Sequence, residues 1–204
     1  MAEAVSQRRL IDLGTVGGDR LRNVFSPTYD EAGIRRYVHE QFIERAAAYA
    51  ESFTDGKYST WFLNIALKKI GWYERQITGS WILDVGSAAG NSVIPLLKLC
   101  SDARVIATDL SVELLVILRR VLERQGLEDR CALLQLNAEE LEFRQDCFDL
   151  VVGAAILHHL ISPDLTVRGC ARILKPGGHA MFFKPFENGN AILNLICREI
   201  LRDS

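Results

Sequence analysis

The sequence predicts an α/β protein, a doubly wound and mostly parallel sheet preceded by a helical extension. Three observations carry this. From residue 81 onward, short apolar runs of strand length alternate with longer amphipathic runs. The first of these, WILDV, breaks into Gly86, Ala88 and Gly90, the pattern of a buried strand feeding a tight turn and a helix. Hydrophobic residues make up 49% of the 204, enough for a sizeable core. Strand–helix alternation implies a parallel sheet with right-handed crossovers.

The elements follow in order. Residues 1 to about 28 carry Gly14, Gly17, Gly18 and Pro27 and read as a loose arm. Residues 30–53 place Ile34, Tyr37, Val38, Phe42, Ala46 and Tyr49 at helical spacing. Residues 58–71 read as a second helix, with Trp61, Phe62, Ile65, Leu67 and Ile70 apolar. Together 1–79 make an N-terminal arm and helical lid, and 80–204 the sheet domain. Strands are expected at 81–85, 104–108, 131–136, 148–153 and 179–183. Helices are expected at 91–101, 111–126 and 163–173. Ser111 caps the second, with Glu113 in its first turn where the helix dipole favours an acid. Ser162-Pro163-Asp164 supplies a cap, a first-turn proline and an acid for the third. Residues 137–147 read as a loop or a short helical turn. No repeat and no low-complexity tract interrupts the chain.

Composition narrows the function. A net charge of −2 provides no positive field for nucleic acid. No apolar run approaches the roughly 18 residues of a membrane span, and the N-terminus lacks the apolar core of a signal peptide. The five cysteines are scattered without CxxC spacing. They read as buried, reduced thiols of a cytoplasmic protein, with no metal site. The oligomeric state is not legible.

In an open parallel sheet, ligands bind outside the carboxyl ends of the strands. After the first strand, the small residues let a backbone approach a ligand closely. Asp84 beside that turn repels a pyrophosphate and attracts a cation. The second strand ends in Asp109, whose carboxylate suits two ribose hydroxyls. Its 19-residue distance from Gly90 matches the ~20 of dinucleotide folds too. The third strand leads to Asn137 and Ala138, where an amide oxygen and a backbone N–H suit adenine. The fourth ends in Gly153, Ala154 and Ala155, which leave room for a ligand beside His158 and His159.

The ordered series ILDVGSAAGNS, VIATDLS, LNAEELEF, FDLVVGAAILHHL and RILKPGGHAMFFKP resembles class I S-adenosylmethionine-dependent methyltransferases. It is most similar to the small-molecule group with a type 11/25-like domain. The resemblance covers roughly residues 80–186. It implies a seven-stranded Rossmann-like sheet and S-adenosylmethionine, which has an amino group and a sulfonium but no phosphate. It implies Asp84 and Gly86 near the methionine moiety, Asp109 on the ribose and Asn137-Ala138 at the adenine. The cofactor-binding candidates are Asp84, Gly86, Ser87, Gly90, Asp109, Leu110, Asn137, Ala138 and Ala154. The reaction implied is in-line displacement of the sulfonium methyl by an oxygen, nitrogen or carbon of a small, partly apolar acceptor. His158 and His159 are the candidate bases. Adjacent helical residues point about 100° apart, so both are not expected to face one site.

The sequence departs from the family at three places. The middle glycine of the loop is Ala88, the adenine-side acid is Asn137, and no sequence follows for strands six and seven. A shortened sheet with an exposed edge is therefore expected. Two other classes compete. A nicotinamide-dependent oxidoreductase needs G-x-G-x-x-G, which the loop does not match. A non-catalytic binding or scaffold protein would keep the fold without the reaction. The fourth strand also lacks the Asn/Asp-Pro-Pro-aromatic pattern of enzymes that methylate base amino groups.

Overall fold

The computed structural model describes residues 20–21, 24–25, 46–51, 57–75 and 78–183. In chain order these form β1 (Arg20–Leu21), β2 (Val24–Phe25), α1 (Ala46–Glu51), α2 (Lys57–Lys69), β3 (Trp81–Val85), α3 (Val93–Leu99), β4 (Arg104–Asp109), α4 (Val112–Gln125), β5 (Cys131–Gln135), β6 (Phe148–Ala154), α5 (Pro163–Ile173) and β7 (Leu174–Phe183). The sheet has the order β1-β2-β5-β4-β3-β6-β7. All neighbours from β2 to β7 are parallel, and β1 pairs antiparallel with β2. The order reverses at β3, which pairs with β4 on one side and β6 on the other. A crevice opens above such a switch point, outside the carboxyl ends of the strands.

Strand sequences explain how both faces are covered. In a strand, successive side chains point to opposite faces. Ile82, Val105, Ala107, Leu133, Leu150 and Val152 pack with Leu63 and Leu67 of α2, Leu96 of α3 and Leu118 of α4. Leu83, Val85, Ile106, Ala132, Leu134 and Val151 pack on the other face with Cys170 and Ile173 of α5. Runs without polar alternation are what a sheet buried on both sides requires. Asp84, Thr108, Gln135 and Asp149 are buried polar exceptions within the strands, and Asp149 is the ion-paired one among them. Its Oδ2 accepts the Trp81 N–H at 2.8 Å, and Lys175 Nζ donates to both carboxylate oxygens at 2.9 and 2.8 Å.

Several sequence expectations need correction. The segment read as a loose arm contributes β1 and β2, and Phe25 pairs with Leu134 at the β5 edge. Two-residue strands are too short to show a period. The seventh-strand count is thus reached from the N-terminal side, while β7 is the edge strand on the other side among the described residues. β7 starts at Leu174 rather than 179. Pro176 looks like a strand breaker, but an edge strand can lack an N–H on its open side. The register slips between Phe148 and Leu150 to absorb residues 175–178. Ser162 makes no side-chain cap bond. Ser111 does cap α4, accepting the Leu114 N–H at 3.2 Å.

Of the predicted helix at 30–53, residues 46–51 form α1, and 30–45 and 52–53 lie outside the described residues. α2 is part of the sheet's covering: Leu63 and Leu67 are fully buried. Of its aromatic set and the turn beyond it, Trp72 is buried, while Trp61 and Tyr73 are exposed. Phe62 reaches the carboxyl end of β7, its ring centroid 4.4 Å from that of Phe183. Cys100, Cys131, Cys147 and Cys170 are buried free thiols, and Cys197 lies outside the described residues. Burial pushes Cys100 up to about 11 and Cys170 up to about 12, so neither is a thiolate nucleophile at neutral pH.

Candidate functional site

Four loops meet above the switch point, and β3 supplies the deepest group. Asp84 has no exposed surface. Its Oδ1 accepts the Ser87 hydroxyl at 2.7 Å, and its own carbonyl accepts the Thr108 hydroxyl at 3.0 Å. Its Oδ2 is buried without a partner. Burial raises Asp84 to about 6, against the lowering effect of the nearby Ser92 and Ser87 hydroxyls, and Asp109 adds to the rise. A carboxylate held this way gains most from a cation.

The loop after β3 wraps this acid. Gly86 adopts a φ of +72°, and a Cβ there would stand 2.7 Å from Ile156 of the loop after β6. Only glycine suits both conditions. Ser87 is buried with its hydroxyl on Asp84 and its N–H donating to Thr108 O at 2.8 Å. Gly90 is buried against Leu118 of α4. Ala88 keeps a φ of +45°, a left-handed conformation that costs an L-residue about 1–2 kcal/mol. Ala88→Gly should therefore stabilise the fold by about 0.5–1 kcal/mol, part of the relief being offset by the freer unfolded chain. Urea denaturation reads this directly, and a lower midpoint would contradict it.

Asp109, at the tip of β4, ties two loops together. Its Oδ2 accepts the Ala88 N–H at 2.8 Å and its Oδ1 accepts the Ser111 N–H at 2.8 Å. Burial raises its carboxyl, against the lowering effect of the backbone donors Ser111, Ala88 and Leu110. Each oxygen keeps a second lone pair. Leu110 is fixed through its carbonyl, which accepts Gln135 Nε2 at 2.8 Å.

Asn137 and Ala138, after β5, are buried. The Asn137 amide oxygen accepts the Glu139 N–H at 3.0 Å, closing a turn within its own loop. The Ala138 carbonyl accepts the Thr166 hydroxyl of α5 at 2.9 Å. After β6, Ala154 pairs with Phe183. Ala155 turns the chain with a φ of +59°, and its N–H donates to Phe183 O at 2.7 Å.

His158 and His159 lie on a 3-10 turn, Leu157–His159, and both are exposed. Their ring centroids are 4.0 Å apart. The turn is 3-10 rather than α-helical, and the two rings lie against each other.

Glu139 carries no functional motif in the sequence. Its carboxylate Oε1 accepts the N–H groups of Ile161 at 2.7 Å and Ser162 at 2.9 Å, linking the loop after β5 to the end of the histidine turn. A non-local acceptor leaves no local pattern. Its one sequence signal was an acid two residues after Asn137. His179, given no function from sequence, receives Arg75 Nη2 at 2.8 Å on Nδ1.

The arrangement offers a buried anion under a close-approach turn, a second carboxylate at the neighbouring strand tip, and small residues at the end of β6 a few positions before an exposed imidazole pair. That suits a cationic ligand with hydroxyls and no phosphate.

Comparison with known proteins agrees. Residues 82–178 match the profile of a methyltransferase domain. A ubiquinone/menaquinone biosynthesis C-methyltransferase of Vibrio campbellii is 32% identical over 111 residues, which are 52% of this chain and 43% of that protein. The chain thus matches less than half the length of that curated relative. The structure of a Methanococcus maripaludis protein described as a methyltransferase of this cofactor class superposes with a TM-score of 0.59 at 22% identity, covering 84% of this chain and 73% of that one. Phosphoethanolamine N-methyltransferase 2 of Haemonchus contortus, solved with S-adenosyl-L-methionine, gives a TM-score of 0.60 at 24% identity, covering 73% of this chain and 35% of that one.

Proposed function

We propose that this chain, whose residues 82–178 belong to the class I S-adenosylmethionine-dependent methyltransferase family, transfers a methyl group to a small, partly apolar acceptor. The observation that carries the reading is Asp84: fully buried, with one oxygen lacking a partner, beneath the Gly86 turn at the switch point. That geometry fits the cofactor's amino group. Asp109 would hold the ribose hydroxyls and Asn137-Ala138 the adenine. Gly86, Ser87, Gly90, Leu110 and Ala154 would shape the cleft. When bound, the cofactor supplies an electrophilic methyl on sulfur, open to displacement by an acceptor oxygen, nitrogen or carbon.

The chain's own residues supply alignment and a dry wall. Phe62 and Phe183 pack at the carboxyl end of β7 and offer an apolar surface to the acceptor. His158 and His159 sit on the turn after β6, where one imidazole can take the acceptor's proton. The name of the Vibrio relative, a C-methyltransferase, favours carbon among the three acceptor atoms. Among the described residues no helix is long and apolar enough to cross a membrane. The four buried free thiols suit the reducing cytoplasm.

An acceptor screen with methyl-labelled cofactor tests the reaction, starting with small phenols and quinols. With an acceptor in hand, His158→Asn and His159→Asn should separate the roles. Loss of one base should lower kcat by about 100-fold and leave affinity for S-adenosylhomocysteine unchanged. Unchanged turnover in both variants would remove histidine from the mechanism. No transfer to any acceptor by a chain that binds the cofactor would favour a scaffold role.

A further inference from the structure

Glu139 joins two loops that the proposed reaction uses separately. On one side its N–H donates to Asn137 Oδ1 at 3.0 Å, so it belongs to the adenine-side turn. On the other its Oε1 accepts the Ile161 and Ser162 N–H groups at 2.7 and 2.9 Å. Those residues close the turn that bears His158 and His159 and open α5. Ser162, the N-cap residue, makes no side-chain cap bond, and Glu139 takes its backbone N–H, one of the donors a helix start leaves free. The positive end of the helix dipole favours a negative group there. A parallel link, Thr166 Oγ1 to the Ala138 carbonyl at 2.9 Å, is fully buried on the Thr166 side.

We infer that Glu139 is a positioning residue that couples the adenine-side loop to the histidine turn, so that filling the cofactor cleft orders the acceptor side. The inference rests on the reading of the site given above. A ligand that draws Asn137 and Ala138 into place also fixes the Glu139 backbone, and with it the acceptor for Ile161 and Ser162. The coupling is reciprocal, since a turn that favours the bound arrangement also strengthens cofactor binding. Glu139 touches no reacting atom in this account. It acts through the turn.

Amide hydrogen exchange on the whole chain tests this, with S-adenosylhomocysteine as the probe. In the wild type, saturating probe should slow exchange at Ile161 and Ser162. In Glu139→Ala those two amides should exchange about tenfold faster, the loss of hydrogen bonds to a charged acceptor, and should no longer respond to the probe. Glu139→Gln keeps an acceptor oxygen and should keep the response. Amides of β3 serve as the internal standard and should exchange alike in all three proteins. A probe response in Glu139→Ala equal to that of the wild type, or a Gln variant that behaves like the Ala variant, overturns the coupling and leaves the proposed function standing. A wild type that does not bind the probe removes the proposed function and this inference together.

Discussion

Asp84→Asn should abolish useful cofactor affinity while raising the melting temperature at pH 7. The two effects share one cause. The carboxylate is fully buried, with one oxygen unpartnered, so its charge is costly until a cation arrives. Burial raises it from 3.8 to about 6 in the folded chain. Its contribution to stability is therefore greatest below about pH 4 and is lost as pH rises through 6. Replacing it with a neutral amide removes that loss, worth about 1–3 kcal/mol at pH 7. Affinity runs the other way. A lost charge-assisted contact in a dry site should weaken S-adenosylhomocysteine binding by about 100-fold. In the wild type, affinity should rise with pH through about 6 and level off above it, because the ligand's ammonium pairs with the ionised acid. Calorimetry across pH 5 to 8, with thermal melts of both proteins, reads all three. A variant that is destabilised and still binds would place Asp84 in the structure alone.

Asp109→Ala is the contrasting case, and it should lower both affinity and stability. This carboxylate holds two backbone donors at 2.8 Å, Ala88 N–H in the loop after β3 and Ser111 N–H before α4. Removing it strands both, at about 1–3 kcal/mol each if water does not replace it. The loop around Asp84 loses its tie to β4 at the same stroke. Denaturation should show a loss of about 2–4 kcal/mol, and the adenosine end of the ligand should lose its hydroxyl acceptor. Asp109→Asn keeps one acceptor oxygen and should recover part of the stability without the affinity. If Asp109→Ala melts like the wild type, the two hydrogen bonds do not organise the loop.

The sheet was legible because its central strands are buried on both faces and read as mostly apolar runs with few polar residues. β3 and α5 fall where the sequence placed them, and α5 does so because Pro163 sets its first turn. What the sequence hid was non-local. Ser162 does mark the start of α5, but its side chain makes no cap bond, and the acceptor for its N–H is Glu139, more than twenty residues upstream. Pro176 suggested a turn because nothing in the sequence says that β7 lies at an edge among the described residues. The β1–β2 pair had too few residues to carry a pattern. At the site, the residue types of Asp84, Asp109 and Asn137 were readable from their strand ends. Their bonding was not: the Asn137 oxygen is engaged by Glu139 N–H, and the Asp109 oxygens by two loops. The approach of the two histidine rings depends on rotamers on a 3-10 turn, which spacing alone does not encode.

Calorimetric titration of the 204-residue chain with S-adenosylmethionine and S-adenosylhomocysteine, with NADH as control, tests the central claim most directly. The account predicts micromolar binding of the first two and none of NADH, since Asp84 favours an ammonium and opposes a pyrophosphate. A folded chain that binds neither sulfur ligand, or that prefers NADH, would contradict it.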